Sequence, residues 1–460
     1  MFSTTTGIEY IKECKENIEL IKTADKKTIN AWAMYDWANS AYSLVITSAL
    51  FPIYFHSITT TAESSSVKFI GRTYNSDSLQ TYAISLAFLL IAAINPLLSS
   101  IADYSGNKKK FMYFFSTLGA VSCALLFFFN SISTLWIGVI GSMLAAIGYA
   151  GSIVFYNAFL PEIAVTEDQD KVSAKGFAMG YIGSSFLLIF CLTMILYPQW
   201  YGGITTSLAT RIAFLLVGVW WFSFAQYTFY HLPENKNIPR EKGRYIFHGY
   251  LELKKVWNEV KNLKRIKTFL LSFFFYNMGV QTVMYVATLF GSGELHLDSS
   301  ILIIVILIIQ FVAIGGAYLF SFLSRKLGNI RALSIAIVVW IFICAAAFAC
   351  NKKYGVDEQT MFIEIAAVVG LVMGGIQSLS RSTYSKLLPE TIDHASYFSF
   401  FDVCDKLGTV LGTFAFGFIN EITGSMRSSI IVLAFFFILG LILLLRMKKE
   451  KIAAIESLDK

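Results

Sequence analysis

Tyr156-Asn157-Ala158-Phe159-Leu160-Pro161-Glu162 closes one apolar stretch of this 460-residue chain, and Tyr384-Ser385-Lys386-Leu387-Leu388-Pro389-Glu390 closes another. The two copies share Tyr and Leu-Pro-Glu at one constant offset of 228 residues, and Gly180 maps on Gly408 at the same offset. Each copy sits at the same place in a series of apolar segments. A duplicated set of membrane helices implies a secondary transporter, with its solute site between the two halves.

Working outward, 56% of the residues are hydrophobic and only 15% charged, too few charges to cover a soluble surface of this size. Twelve stretches are long enough to cross about 30 Å of hydrocarbon: 34–57, 79–101, 111–130, 134–157, 173–197, 208–231, 268–290, 299–323, 331–350, 361–385, 396–420 and 427–446. With both termini inside, 29 of the 37 Lys and Arg fall in inside segments and six outside, while Arg381 and Lys406 lie within spans. That bias predicts cytoplasmic N and C termini. It also accounts for the net charge of +7, so no nucleic-acid partner is implied.

The domain boundaries follow. Residues 1–30 lack a signal-peptide apolar core and carry Ile8, Ile11, Ile18 and Ile21 between charges, an amphipathic segment for the cytoplasmic surface. A first six-helix half covers 31–231. The linker 232–267 holds ten basic and four acidic residues; Ile246, Tyr250, Leu253, Trp257 and Val260 at helical spacing predict an amphipathic helix there. The second half covers 268–446, and 447–460 is a basic cytoplasmic tail. Segment 57–78 reads as a Ser/Thr-rich outer loop. The six cysteines are scattered with no metal-ligand spacing and read as packing residues. Neither a cofactor motif nor an enzyme's nucleophile or metal pattern is present, and the five histidines read as interfacial.

Ala102-Asp103-Tyr104-Ser105-Gly106-Asn107-Lys108-Lys109, after the second span, resembles the Asp-x-x-Gly-basic loop motif of the major facilitator superfamily. Its second-half copy, Ser324-Arg325-Lys326-Leu327-Gly328-Asn329, has Arg325 where Asp would stand. Three further segments are more specific: Trp32-Ala33-Met34-Tyr35-Asp36-Trp37-Ala38-Asn39-Ser40; Phe155 to Glu162; and Gly374-Gly375-Ile376-Gln377-Ser378-Leu379-Ser380-Arg381, continuing to Pro389 and Lys406. Together they are similar to the vacuole-effluxer branch of that superfamily, over essentially the whole chain. The resemblance implies an all-α membrane protein of twelve transmembrane helices in two pseudo-symmetric six-helix halves. It also implies alternating access, a monomer in the lipid bilayer, and amino-acid-like solutes with export the expected direction. A bacterial inner membrane is the expected location.

The resemblance implies that the first, fourth, seventh and tenth helices line the cavity. Offsets of three and four put polar groups on one face of each. The candidates are Asp36 and Asn39; Tyr156 and Asn157; Asn277 and Gln281; and Gln377, Arg381 and Tyr384. Ser43, Tyr149, Ser152, Tyr285 and Thr288 lie on the same faces. Unpaired charges are costly in a span, so Asp36 and Arg381 are expected to pair or face water. They serve either as a clamp for a zwitterion or, preferably, as an inner gate.

On the eleventh helix Asp402, Asp405 and Lys406 are spaced so that two carboxyl groups share one ammonium, suited to proton coupling or, with Asp103, to gating. Glycines 176, 180 and 183, 315 and 316, and 408 and 412 are expected where the halves rock on one another. Gly180-Tyr181 stands where the superfamily's antiporters carry Gly-Pro, so that motif gives antiport no support. The alternative to a solute transporter is a lipid-handling or sensor membrane protein of the same fold.

Overall fold

The computed structural model describes residues 25–60, 66–234, 245–350 and 357–458. The expected amphipathic segment with Ile8, Ile11, Ile18 and Ile21 lies outside them, apart from its last residues. Twelve long helices make the bundle: α1 (Lys26–Thr59), α2 (Ser76–Ser105), α3 (Lys108–Leu125), α4 (Leu135–Ala158), α5 (Gln169–Leu196), α6 (Thr206–His231), α7 (Lys264–Leu289), α8 (Ser299–Leu327), α9 (Asn329–Ala349), α10 (Glu358–Leu387), α11 (His394–Thr423) and α12 (Met426–Leu458). Eleven of them are long and apolar enough to cross a membrane. The remaining one, α11, has 30 residues, ample for a span, but Asp402, Asp405 and Lys406 dilute its apolarity. Outward-facing side chains such as Phe114, Phe186, Phe342 and Phe414 are apolar, as a lipid-facing wall requires.

The packing repeats between halves. In the first half α1 packs on α5 and α6, α3 on α4 and α6, and α2 on α4; in the second α7 packs on α11 and α12, α9 on α10 and α12, and α8 on α10. The halves meet where α5 touches α8 and α10, and where α11 touches α2 and α4. Gly106 and Gly328 hold positive φ (65° and 86°) in the two corresponding tight turns, α2–α3 and α8–α9, a conformation glycine adopts without steric cost.

Of the glycines expected between halves, Gly176 faces Arg381 of the other half, while Gly180, Gly183, Gly316, Gly408 and Gly412 work within a half. A Cβ on Gly180 would stand 3.2 Å from the Asp36 carbonyl, and one on Gly183 2.8 Å from the Trp37 carbonyl, both on α1 of the same half. Gly408 and Gly412 face Met278 on α7, and Gly316 faces Leu371 on α10, while Gly315 meets nothing within 4 Å. Small residues therefore draw α5 onto α1 and α11 onto α7, stiffening each half as a unit.

Three local features depart from the sequence reading. The first helix starts at Lys26 rather than 34, capped by the Asp25 side chain, because charged residues can prolong a helix beyond the hydrocarbon. Within it, Tyr42–Leu50 widens to a π-helix: the Phe51 N–H reaches the Ile46 carbonyl, and the Ser48 hydroxyl donates to the Ser43 carbonyl at 2.9 Å. Pro52 follows, without an N–H to continue the ladder. Segment 57–78, read as an outer loop, contains an antiparallel hairpin of β1 (Ser66–Phe69) and β2 (Arg72–Asn75), turned through Ile70 and Gly71 at positive φ.

The linker helix (Tyr245–Asn262) lies across α2 and also contacts α7 and α11. It buries Val256 and Val260 and leaves Phe247, Tyr250 and Trp257 exposed. Its Lys255 Nζ donates to Glu252 Oε1 at 2.8 Å and to Asp393 Oδ2 at 3.3 Å. Burial works against the Lys255 ammonium, but bonding to Glu252 and attraction from both carboxylates push it up to about 12. The end of the bundle that carries this helix is called the linker face below.

Candidate functional site

A cavity of about 220 Å³ lies between the halves, walled mainly by α1, α4, α5, α7, α10 and α11. Helical spacing delivers its polar groups. Asn277, Gln281 and Tyr285 follow at steps of four on α7, and Gln377 and Arg381 are four apart on α10. The π segment of α1 contributes Tyr42, Ser43, Leu44, Thr47 and Ser48 to the wall. An extra residue per turn shows more consecutive side chains to one side than a regular helix does.

At the linker-face end of the cavity Arg381 joins the halves. Its Nε donates to Ser173 Oγ at 2.9 Å. Nη1 reaches Asp36 Oδ2 at 3.2 Å and Asn157 Oδ1 at 3.4 Å, and Nη2 reaches Asp36 Oδ2 at 3.2 Å and the Ser173 carbonyl at 2.9 Å. The guanidinium carbon lies 4.2 Å from the Phe177 ring centre and 4.7 Å from that of Trp32. Tyr156 Oη donates to the same Asp36 oxygen at 2.7 Å, while the Trp32 indole donates to the Tyr156 carbonyl and stacks on its ring at 4.4 Å. Gly176 makes the room: a Cβ there would stand 2.8 Å from Arg381 Nη2. Asp36 and Arg381 are 5% and 3% exposed, so each is the other's main charge compensation.

The second charged group is on α11. Lys406 Nζ lies 2.5 Å from Asp405 Oδ2 and 3.6 Å from Asp402 Oδ1. Asp405 Oδ1 accepts from Asn277 Nδ2 and Gln281 Nε2, each at 2.8 Å, and Asp402 Oδ2 accepts from Asn95 Nδ2 at 2.9 Å. Asp405 and Lys406 are on the cavity wall, and Asp402 is buried behind them.

Of the residues read as cavity candidates, Asp36, Asn157, Asn277, Gln281, Gln377 and Arg381 are on the wall. Asn39, Tyr156 and Tyr384 are not. Asn39 turns inside the first half, accepting from the Ser40 hydroxyl at 3.4 Å. Tyr156 stands behind Asp36. Tyr384, three residues past Arg381, lies beyond the cavity floor, where its hydroxyl donates to the Tyr397 carbonyl at 2.6 Å and its ring stacks on Phe401.

Asp103 is separate from the α11 cluster it was grouped with. It reaches the start of α11 at the linker face, accepting from Ser396 N at 2.7 Å, Ser396 Oγ at 2.8 Å and Ala395 N at 3.3 Å. Nearby, Glu162 Oε1 bonds both Lys108 Nζ and His394 Nδ1, so this histidine is a cross-half contact rather than an interfacial one.

Several cross-half partners gave no sequence signal. Asp170, at the start of α5, accepts from Ser324 Oγ, Asn329 Nδ2 and Lys386 Nζ, each at 2.7 Å. Tyr181 Oη donates to Gln377 Oε1 at 2.6 Å, and Ser173 Oγ to the Ser378 carbonyl at 2.8 Å. Together these bonds fasten the halves along the linker-face side of the cavity.

Residues 24–454 match the model of the vacuole effluxer Atg22-like family. The chain is 31% identical to YxiO, an MFS-type transporter of Bacillus subtilis (strain 168), over 92% of this chain and 95% of that one. It is 25% identical to autophagy-related protein 22-1 of Aspergillus clavatus, over 86% and 78%. Among solved structures, the proton:xylose symporter XylE has a TM-score of 0.68 at 13% identity, covering 91% of this chain and 95% of that one. A bacterial homologue of the iron transporter ferroportin in an outward-facing state has 0.64 at 11%, covering 92% and 98%. The structural likenesses speak for the fold alone. The chain belongs to the vacuole effluxer Atg22-like family and is a multi-pass transporter of the major facilitator type, not an enzyme.

Proposed function

We propose that this transporter exports a small polar, amino-acid-like solute by alternating access, with protons as the coupling ion. One observation carries the reading: a polar cavity holding charges of both signs lies between two internally stiff halves, fastened to one another on one side of it. The Lys and Arg bias supports a cytoplasmic linker face, hence cytoplasmic termini and an outward-facing arrangement of the halves. The Bacillus relative supports a bacterial inner membrane, and the family's effluxer name supports export.

The Asp36–Arg381 pair then acts as the inner gate. Its bonds to Ser173 and Asn157 tie α10 to α5 and α4, so inward opening must trade them for water or solute. Asp402 and Asp405 around Lys406 form the proton-coupling group, three charged groups held among the amides of Asn95, Asn277 and Gln281. A monomer suffices, since one chain supplies the whole cavity wall.

The test uses the full chain in proteoliposomes loaded with labelled amino acids. Efflux is expected to rise with an inward proton gradient and to fall at least tenfold in Asp36→Asn. Efflux that persists undiminished after the pH gradient is collapsed, with the membrane potential clamped, removes proton coupling. Binding of lysolipids with no amino-acid efflux would move the assignment to lipid handling.

A further inference from the structure

The cavity's charge inventory is uneven. On the wall Asp36 and Asp405 stand against Arg381 and Lys406, and Asp402, buried behind it 3.6 Å from Lys406, adds a third carboxyl group. Both cations are already paired with carboxyl groups. All five N–H directions of Arg381 are taken by Ser173, Asp36 and Asn157, and aromatic rings close on its guanidinium. Lys406 is held between two carboxyl groups. A solute carboxylate therefore meets only cations whose charge is already offset by carboxyl groups at close range.

An ammonium group meets the opposite situation. Asp405 faces the cavity, and its Oδ2 carries one bond, from Lys406, where a carboxylate oxygen accepts two. Tyr42, Phe88, Tyr149, Phe273 and Tyr285 share the same wall, and ring faces of this kind attract cations. Phe88 already has the Lys406 ammonium 5.5 Å from its ring centre.

Resting on the transporter reading above, we infer that the solute occupies the cavity as a net cation, its ammonium group bound at Asp405 beside Lys406 and its body against the rings. Within amino-acid-like solutes this selects those with an additional amine, or amines without a carboxylate, over neutral and acidic ones. A net cation also restores the balance that the protein's own side chains leave one positive charge short.

The experiment measures thermal unfolding of the purified full-length chain with cadaverine, lysine, leucine and glutamate, alongside counterflow of each in proteoliposomes. Cadaverine and lysine are expected to bind at least tenfold more tightly than leucine, with glutamate weakest. Asp405→Asn should erase that preference, and Asp405→Glu should keep part of it. The ranking on the unmodified chain stands even if a variant fails to fold. Equal or tighter binding of leucine or glutamate overturns the net-cation inference while leaving transport intact. The same inference falls if none of the four probes stabilises the chain. Absence of counterflow for all four, with binding retained, would instead count against the transport reading.

Discussion

The two seams that close the linker face occupy equivalent places in the duplicated fold and are built with inverted chemistry. At the α2–α11 seam the acids come from the end of α2 and from the short helical turn that follows α4. Asp103 accepts two backbone N–H groups and a hydroxyl at the start of α11, and Glu162 takes Lys108, the first residue of α3, together with His394, the first of α11. At the α8–α5 seam the acid is on the facing helix. Asp170 near the start of α5 accepts from Ser324 on α8, from Asn329, the first residue of α9, and from Lys386 at the end of α10. The duplication preserves the need for an anion where a helix N-terminus meets a tight turn, since exposed N–H groups there favour negative charge. It does not preserve which side supplies it. Arg325 at the place of the motif's Asp is thus no defect of the second copy; the acid has moved across the seam.

The inversion makes the first seam the more fragile one. Lys108 is 1% exposed, so Glu162→Gln leaves a buried ammonium without its carboxylate, at a cost of about 3–5 kcal/mol. Its repeat partner Glu390 is exposed, and Glu390→Gln should stay within about 0.5 kcal/mol. Thermal unfolding of both variants in detergent checks the pair; equal losses would mean that the two Leu-Pro-Glu copies carry the same burden. Asp170→Ser comes next, at about 2 kcal/mol, because Lys386 is 19% exposed and keeps Asn329 as a partner at 3.2 Å. In that background Arg325→Asp should recover about 1 kcal/mol, by rebuilding in the second seam the cap of the first. No recovery would show that the seams are not interchangeable. Asp103→Asn follows at about 1 kcal/mol, the scale of a lost helix cap.

How much of this was legible follows the same division. Charges and amides in an apolar helix are conspicuous, so spacing marked Asp36, Arg381, Asn277, Gln281 and the α11 cluster, while the family resemblance said which helices line the cavity. The halves were legible from the 228-residue echo and from the crowding of Lys and Arg at one side. What stayed hidden depends on the rotation and ends of helices. Tyr156 and Tyr384 are equivalent in the repeat, yet one supports Asp36 and the other closes on the Tyr397 carbonyl. Ser173 looks like an ordinary helix residue until Arg381 arrives from the other half, and Gly176 was legible as a small residue at a helix contact but not as the room for that side chain. Asp170 sits among charges at a span end, where a carboxylate predicts nothing, and the π turn of α1 has no pattern of its own to read.

The smallest expected effect decides where the first seam ends. Lys255 links the linker helix to Asp393, the residue just before α11, but its side chain is 55% exposed. Exposed ion pairs are screened and cost side-chain freedom, so Lys255→Ala should lower stability by less than about 1 kcal/mol despite the raised ammonium. Val256, buried on the same helix, gives the contrast: Val256→Ala removes apolar packing and should cost about 1–2 kcal/mol. If unfolding measurements reverse that order, electrostatics hold the linker helix, and it becomes a third member of the α2–α11 seam. If the order stands, apolar burial holds the helix and the seam's chemistry stops at Glu162, Lys108, His394 and Asp103. In that case the inversion between seams is complete within the twelve-helix bundle itself.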